Sequence, residues 1–320
     1  MQAQFFHPRY WLTWLGVAFL RITVLLPWHW QMALGTALGK LLYIALPSRR
    51  KVSCINLEIA FPDHTKEQRQ QLNRQHFISL GQGLFESAFG WWASNKRIKA
   101  LTHIEGLEYL TNTLKEGRVI LLGAHFASLE VGGRILAQHT PLHAVYRPHQ
   151  NKVIEYLVAL KRTNQYGKAI PKTNIRDMIK SIKKGFASWY ATDQNFRGKG
   201  SILVPFFGVN APTNPGTSRL AKMTKARVIP VICVRLLNND SNNYKNKHGY
   251  LVRFLPPIDH FPSDDSLQDT TRLNHLIEDF IKEFPAQYLW THKRYKHYQT
   301  EHKDFYKDYA QQTQNTACNG

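Results

Sequence analysis

Apolar residues follow three regimes along the chain. From Tyr10 to Pro47 they run almost unbroken, with Arg21 and Lys40 the only formal charges. Trp11 to Leu26 reads as one helix, slightly short of bilayer length and ended or kinked by Pro27; Gln31 to Leu46 reads as a second apolar helix. Trp11, Trp14, Trp28 and Trp30 stand where an aromatic belt would meet a bilayer. From Ser53 to Trp92 the period becomes helical, through Leu57, Phe61, Leu72, Phe77, Leu80, Leu84 and Phe85, broken at Pro62. Asp63-His64-Thr65 supplies a turn and a cap before Lys66. Beyond this, short apolar runs alternate with amphipathic ones. Strands are expected at 118–123, 142–146, 187–191, 228–234 and 250–254, and helices at 128–138, 150–164, 174–184, 215–225 and 268–284. That alternation predicts an α/β fold, a mostly parallel central sheet flanked by helices, with an N-terminal membrane-associated helix.

The expected organisation is a membrane anchor at 1–46, an α/β domain at 47–309 and a disordered polar tail at 310–320. Residues 237–249 form a polar hairpin or loop. One N-terminal helix is expected in the membrane, the second on it or packed against the domain. A hairpin buried in the domain is the competing reading. A cleaved signal peptide fits less well. No small-residue cleavage site is visible, and Pro47-Ser48-Arg49-Arg50-Lys51 makes a basic flank, in which Arg49, Arg50 and Lys51 would meet anionic lipid headgroups.

Charge narrows the partners. Forty-two Lys and Arg against 22 Asp and Glu leave +20 on 320 residues, which favours an anionic partner. No zinc-finger spacing, RNA-binding signature or long basic block points to nucleic acid, so a membrane or phosphorylated lipid fits better. Cys54, Cys233 and Cys318 are far apart and lack CxxC spacing, so neither a disulfide framework nor a structural metal site is expected.

Candidate chemistry gathers in Gly117 to Glu130. Val119 to Leu122 is a buried strand, a small-residue turn follows, and His125 stands where strand gives way to helix. Open α/β sheets bind ligands at such strand ends. Residues five apart on one helix diverge by about 140°, so a working His125–Glu130 pair needs His125 on the turn and Glu130 on the first helical turns, facing back. Glu130 would then orient the imidazole and leave its other nitrogen as a base toward an acceptor hydroxyl. A backbone-satisfied histidine at a strand end is the bland alternative.

Several segments together resemble the late acyltransferases of lipid A biosynthesis, the lauroyl/myristoyl enzymes of the His-x4-Asp/Glu glycerolipid acyltransferase superfamily. They are Asn56-Leu57-Glu58-Ile59-Ala60-Phe61-Pro62, Gly123 to Glu130, Tyr146-Arg147-Pro148-His149 and Trp189-Tyr190-Ala191-Thr192-Asp193-Gln194. The last two are Val204-Pro205-Phe206-Phe207-Gly208 with Gly216, and Gln287 to Arg294. Their order is more specific than any one of them, and the turn at His125 looks closer to the lauroyl branch. The resemblance implies an enzyme on the cytoplasmic side of a Gram-negative inner membrane. Its donor would be acyl carrier protein and its acceptor a hydroxyl of a Kdo-bearing lipid A precursor, with no cofactor, metal or covalent acyl-enzyme. The superfamily's third motif carries an acid after Phe-Pro, which Phe206-Phe207-Gly208 lacks; Asp193 is an alternative source of that acid.

In this frame His125 takes the acceptor's proton and Glu130 holds the imidazole. Backbone amides near Ala127 and Ser128 meet the oxyanion. Arg147 binds a substrate phosphate or phosphopantetheine, with a surface salt bridge as its plainer role. Asp193 orients substrate, pairs with Arg147 or caps a turn. Gly208, Thr213 and Gly216 shape a turn and a helix start, in a structural or binding role. His292, Lys293, Arg294, Lys296 and His297 form a second basic cluster, facing substrate phosphates or the acidic carrier protein. Rival readings are a lysophospholipid acyltransferase, which the missing Phe-Pro-Glu-Gly segment opposes, and a non-enzymatic basic membrane-associated protein. No Gly-x-Ser-x-Gly elbow supports a lipase.

Overall fold

The five apolar runs become the heart of a seven-stranded sheet. The computed structural model describes residues 3–237, 244, 247–296, 305, 306 and 309. Its strands are β1 (Thr102–Glu105), β2 (Val119–Gly123), β3 (Leu142–Tyr146), β4 (Gly167–Pro171), β5 (Ala187–Ala191), β6 (Ile202–Phe206), β7 (Val209–Thr213), β8 (Arg227–Leu236) and β9 (Gly249–Phe254). The main sheet runs β1-β9-β8-β2-β5-β3-β4, parallel throughout except where β8 meets β9. Central β2 is buried along its whole length. Ile120 and Leu122 enter one apolar core and Val119 and Leu121 the other, which is why this strand reads as a continuous apolar run and not as an alternation.

Helices cover both faces: α1 (Trp11–Thr23), α2 (Trp28–Ala45), α3 (Pro47–Ala60), α4 (Lys66–Trp92), α5 (Asn95–Ala100), α6 (Leu107–Glu116), α7 (Leu129–Leu136), α8 (Lys152–Tyr166), α9 (Ile175–Lys183), α10 (Gly216–Thr224) and α11 (Ser266–Glu283). Thr65 caps α4 in a reciprocal box with Gln68, as its sequence position suggests. Four strands escape the sequence reading. β1 and β4 are short, half-exposed and partly polar, while β6 and β7 each carry a proline. β6 and β7 pair as a separate hairpin closed by Phe207 and Gly208, both at positive φ (50° and 74°). Gly208 therefore serves this turn and lines neither cavity described below.

The N-terminal segment departs from expectation. Among the described residues no helix is long and apolar enough to cross a membrane. α1 has 13 residues, a rise of about 20 Å against roughly 30 Å of bilayer hydrocarbon. α2 instead packs along α4. A Cβ on Gly35 would lie 2.5 Å from the Gln82 Cα, and one on Gly39 would lie 2.4 Å from the Ile78 Cα. Small residues at these points let the two backbones touch, and Gln82 Nε2 donates to Thr36 Oγ1 across the seam at 3.0 Å. Trp11, Leu12, Leu15, Phe19 and Ile22 of α1 nevertheless stay exposed. Most of the polar loop at 237–249, together with His297, Cys318 and the tail at 310–320, lies outside the described residues.

Candidate active site

His125 sits just beyond the carboxyl end of β2, as the sequence suggests, but its partner is not Glu130. Asp193, beyond the parallel end of neighbouring β5, holds the imidazole: Nδ1 lies 2.7 Å from Asp193 Oδ1, and the His125 backbone N–H donates to Oδ2 at 3.0 Å. Asp193 is fully buried, and His125 is partly open. Burial alone would disfavour an imidazolium, but the charge and hydrogen bond of Asp193 outweigh it and hold the His125 pKa above its ordinary value. Burial likewise opposes the Asp193 carboxylate, yet the imidazole, the His125 amide and Arg294 keep its pKa low. An ionised carboxylate only accepts, so Nδ1 carries the proton and Nε2 is left for a substrate.

Glu130 faces away into a different knot. It pairs with Arg162 of α8 and accepts from Trp91 Nε1 of α4 (3.0 Å) and from Tyr166 Oη of α8 (3.2 Å). Burial raises its pKa, but Arg162, Trp91 and Tyr166 more than offset this, and the carboxyl stays ionised. The reason is helical geometry: on the first turn of α7, Glu130 points toward α4 and α8 while the turn carries His125 toward β5. Glu130 thus ties three helices together and lines the pocket beside His125.

The turn itself is clamped from behind by a segment distant in sequence. Ala127 N–H donates to Gln287 O (2.9 Å), Leu289 N–H donates to His125 O (3.0 Å), and Tyr288 Oη donates to Asp193 O (3.3 Å). The Gln287 side chain brackets the Arg235 backbone at 2.8 Å on both sides. Arg235 forms a buried ion pair with Glu86, which accepts from Ser128 Oγ at the head of α7 (3.0 Å). Asn56 Nδ2 holds the Trp290 and His292 carbonyls at 2.7 and 2.9 Å. The scattered segments Asn56–Pro62, Gly123–Glu130, Trp189–Gln194 and Gln287–Arg294 therefore converge on one turn. The Ala127 amide is committed to Gln287 and is not free for an oxyanion.

Two cavities meet at His125. The first, of about 600 Å³, runs between α7 and the sheet, past Leu136, Leu142, Ala144, Val231 and Cys233, with Glu130 and Arg162 in its wall. Gly132 gives α7 its close approach to β8, since a Cβ there would lie 2.6 Å from the Cys233 Cβ. The second, of about 460 Å³, carries Arg147, Lys172, Lys199 and Arg219 and no carboxylate. His125, Val145, Tyr146, Arg147, Trp189 and Gln194 line both. Arg147 is exposed at this junction and Gly216 lines the second cavity. Thr213 is buried away from both, accepting from Arg294 Nη2 at 2.6 Å.

The second basic cluster is largely turned inward. Arg294 is buried over the Phe206 ring, and His292 Nε2 accepts from Asn195 N–H at 3.0 Å, with burial pulling its pKa down to about 4. Lys293 lies over the Tyr306 ring. Arg50 stacks on Tyr43, while Arg49 and Lys51 stay exposed. Arg162, Trp91, Glu86 and Arg235 went unread in the sequence; only contacts across the fold give them meaning.

Comparison with known proteins identifies the family. A family described as bacterial lipid A biosynthesis acyltransferase matches residues 1–297. The chain is 36% identical over 295 residues to the lipid A biosynthesis palmitoleoyltransferase of Escherichia coli (strain K12), covering 92% of this chain and 94% of that protein. It is 35% identical over 292 residues to the lauroyltransferase of the same organism, covering 91% and 93%. Against its myristoyltransferase the identity is 27% over 296 residues, covering 91% and 89%.

Proposed function

From the premise that the chain belongs to the family of bacterial lipid A biosynthesis acyltransferases, we propose that it moves a fatty acyl chain from the thioester of an acyl carrier protein to a free hydroxyl of a Kdo-bearing lipid A precursor. The observation that carries this reading is the His125–Asp193 pair standing where the cavity past Leu136, Leu142, Ala144 and Val231 meets one lined by four cations. The acyl chain occupies the first cavity and the acceptor head approaches through the second. His125 Nε2 takes the hydroxyl proton as the oxygen attacks the thioester carbonyl. The C–S bond then breaks, and the imidazolium returns its proton to the leaving thiolate. Asp193 holds the tautomer and stabilises the imidazolium. The N–H groups of Trp189, Gln194 and Arg147, all at the junction, meet the developing oxyanion. Glu130 acts at one remove, fixing Arg162 and the wall of the acyl cavity. No covalent acyl-enzyme is required, because the thioester is already activated.

The protein works on the cytoplasmic face of the inner membrane. α1 lies flat in the interface, with Trp11, Leu12, Leu15, Phe19 and Ile22 toward the acyl chains and Arg49 and Lys51 toward anionic headgroups. A transmembrane anchor is not part of this reading.

The test uses purified full-length chain, acyl carrier proteins loaded with chains of several lengths, and the Kdo-bearing precursor, followed by mass spectrometry. One added acyl group is expected, absent with His125→Ala. Wild-type protein that transfers no chain of any length to this acceptor overturns the proposal.

A further inference from the structure

Resting on the acyl-transfer reading above, we propose that the second cavity is a phosphate receptor, in which Lys172, Lys199 and Arg219 hold a phosphate group of the acyl acceptor. Four cations and no carboxylate line this space. Among the described residues none of the four makes an ion pair, and the weak bond from Arg219 to Gly200 O is 3.5 Å long. On the bordering helix α9, Asp177 is held by Lys168 at 2.6 Å, and Lys222 of α10 is held by Asp264 at 2.9 Å. Unneutralised cations gathered in one concavity repel each other, so the arrangement is completed by an anion.

Two further features favour a phosphate. α10 borders this cavity from its first residue, Gly216, after Pro215, and no side chain caps it, which leaves its first N–H groups without a side-chain partner at the edge of the space. Gly216 is needed there because a Cβ would lie 2.4 Å from Tyr190 Oη. Thr192 Oγ1, in the same wall, is buried without a hydrogen-bond partner. The donor's pantetheine arm also carries a phosphate, but at its far end from the thioester. A receptor opening directly on His125 suits a phosphate borne by the acceptor.

The experiment compares the full chain with a variant carrying Lys172→Gln, Lys199→Gln and Arg219→Gln, with both substrates varied in turn. The acceptor KM should rise about tenfold or more, and the donor KM should move by less than about twofold. With a dephosphorylated acceptor, wild type and variant should become indistinguishable, because the group the cations read is gone. Titration of inorganic pyrophosphate, followed calorimetrically, should give binding to wild type and none to the variant, a readout independent of turnover. An unchanged acceptor KM overturns the assignment, and so does a rise confined to the donor KM, which would place the pantetheine phosphate here. Wild type that binds pyrophosphate at these residues yet transfers no acyl group would overturn the function reading and leave the receptor standing. Equal pyrophosphate binding by both proteins sinks the receptor.

Discussion

Two buried acids flank the same turn and have opposite tasks. Asp193 meets His125, which is partly open to substrate, whereas Glu130 meets Arg162 in a closed knot of three helices. Both are held ionised by their partners against burial. The difference is what the partner is able to do next. Histidine exchanges a proton near neutral pH; arginine does not. On the proposed mechanism a depressed carboxylate therefore marks a reacting pair in one case and a structural pair in the other, and only the partner tells them apart.

The largest expected effect tests the reacting pair. His125→Ala should lower kcat by about a thousandfold, within the range of general-base contributions, while circular dichroism shows an intact fold. Because His125 and Asp193 act as one unit, adding Asp193→Asn should cost little more. A further loss of similar size in the double variant would mean that the two act separately.

Asp193→Asn alone should lower kcat about a hundredfold and shift its pH dependence. His125 works as a base when neutral, so activity rises with pH through its pKa. Asp193 raises that pKa in the wild type, which places the acid limb above the ordinary histidine value of about 6.5. Without that charge, burial dominates and the limb moves to lower pH. An acid limb that stays in place in pH–rate profiles would remove Asp193 from the pair.

Glu130→Gln sharpens the other half of the contrast. It leaves the Arg162 charge buried and unpaired, which costs about 3 kcal/mol, measured by urea denaturation. Its acid limb should stay where the wild type has it. A shift as large as that of Asp193→Asn would return Glu130 to the imidazole.

The smallest effects concern the membrane. Replacing Leu12, Leu15 and Phe19 by Ser should weaken binding to anionic vesicles without lowering the melting temperature, since all three side chains are exposed. Arg49→Gln with Lys51→Gln should weaken binding mainly at low salt. Full vesicle binding by the triple Ser variant would place the membrane contact elsewhere.

Much was legible from residue pattern alone. A central strand covered on both faces is mostly apolar, so β2, β3, β5 and β8 stood out, as did the Thr65 cap and the placement of His125 at a strand end. Short edge strands such as β1 and β4 bury too little to leave a pattern. The N-terminal helices showed their apolar character but not their lengths or packing, because a helix pressed on α4 and one pressed into lipid draw on the same residues.

The sequence by itself determined the core strands, the family and the place of His125 at a strand end, since local periodicity and short motifs encode them. Tertiary structure alone decided which acid meets His125. Residues 125 and 130 are close along the chain, but the first turn of α7 aims them apart, and parallel pairing of β2 with β5 brings Asp193 across 68 positions to 2.7 Å. The clamp from Gln287 to Leu289 and the cluster of Lys172, Lys199 and Arg219 have the same origin. Sheet order sets which strand ends share an edge, and no spacing along the chain records it.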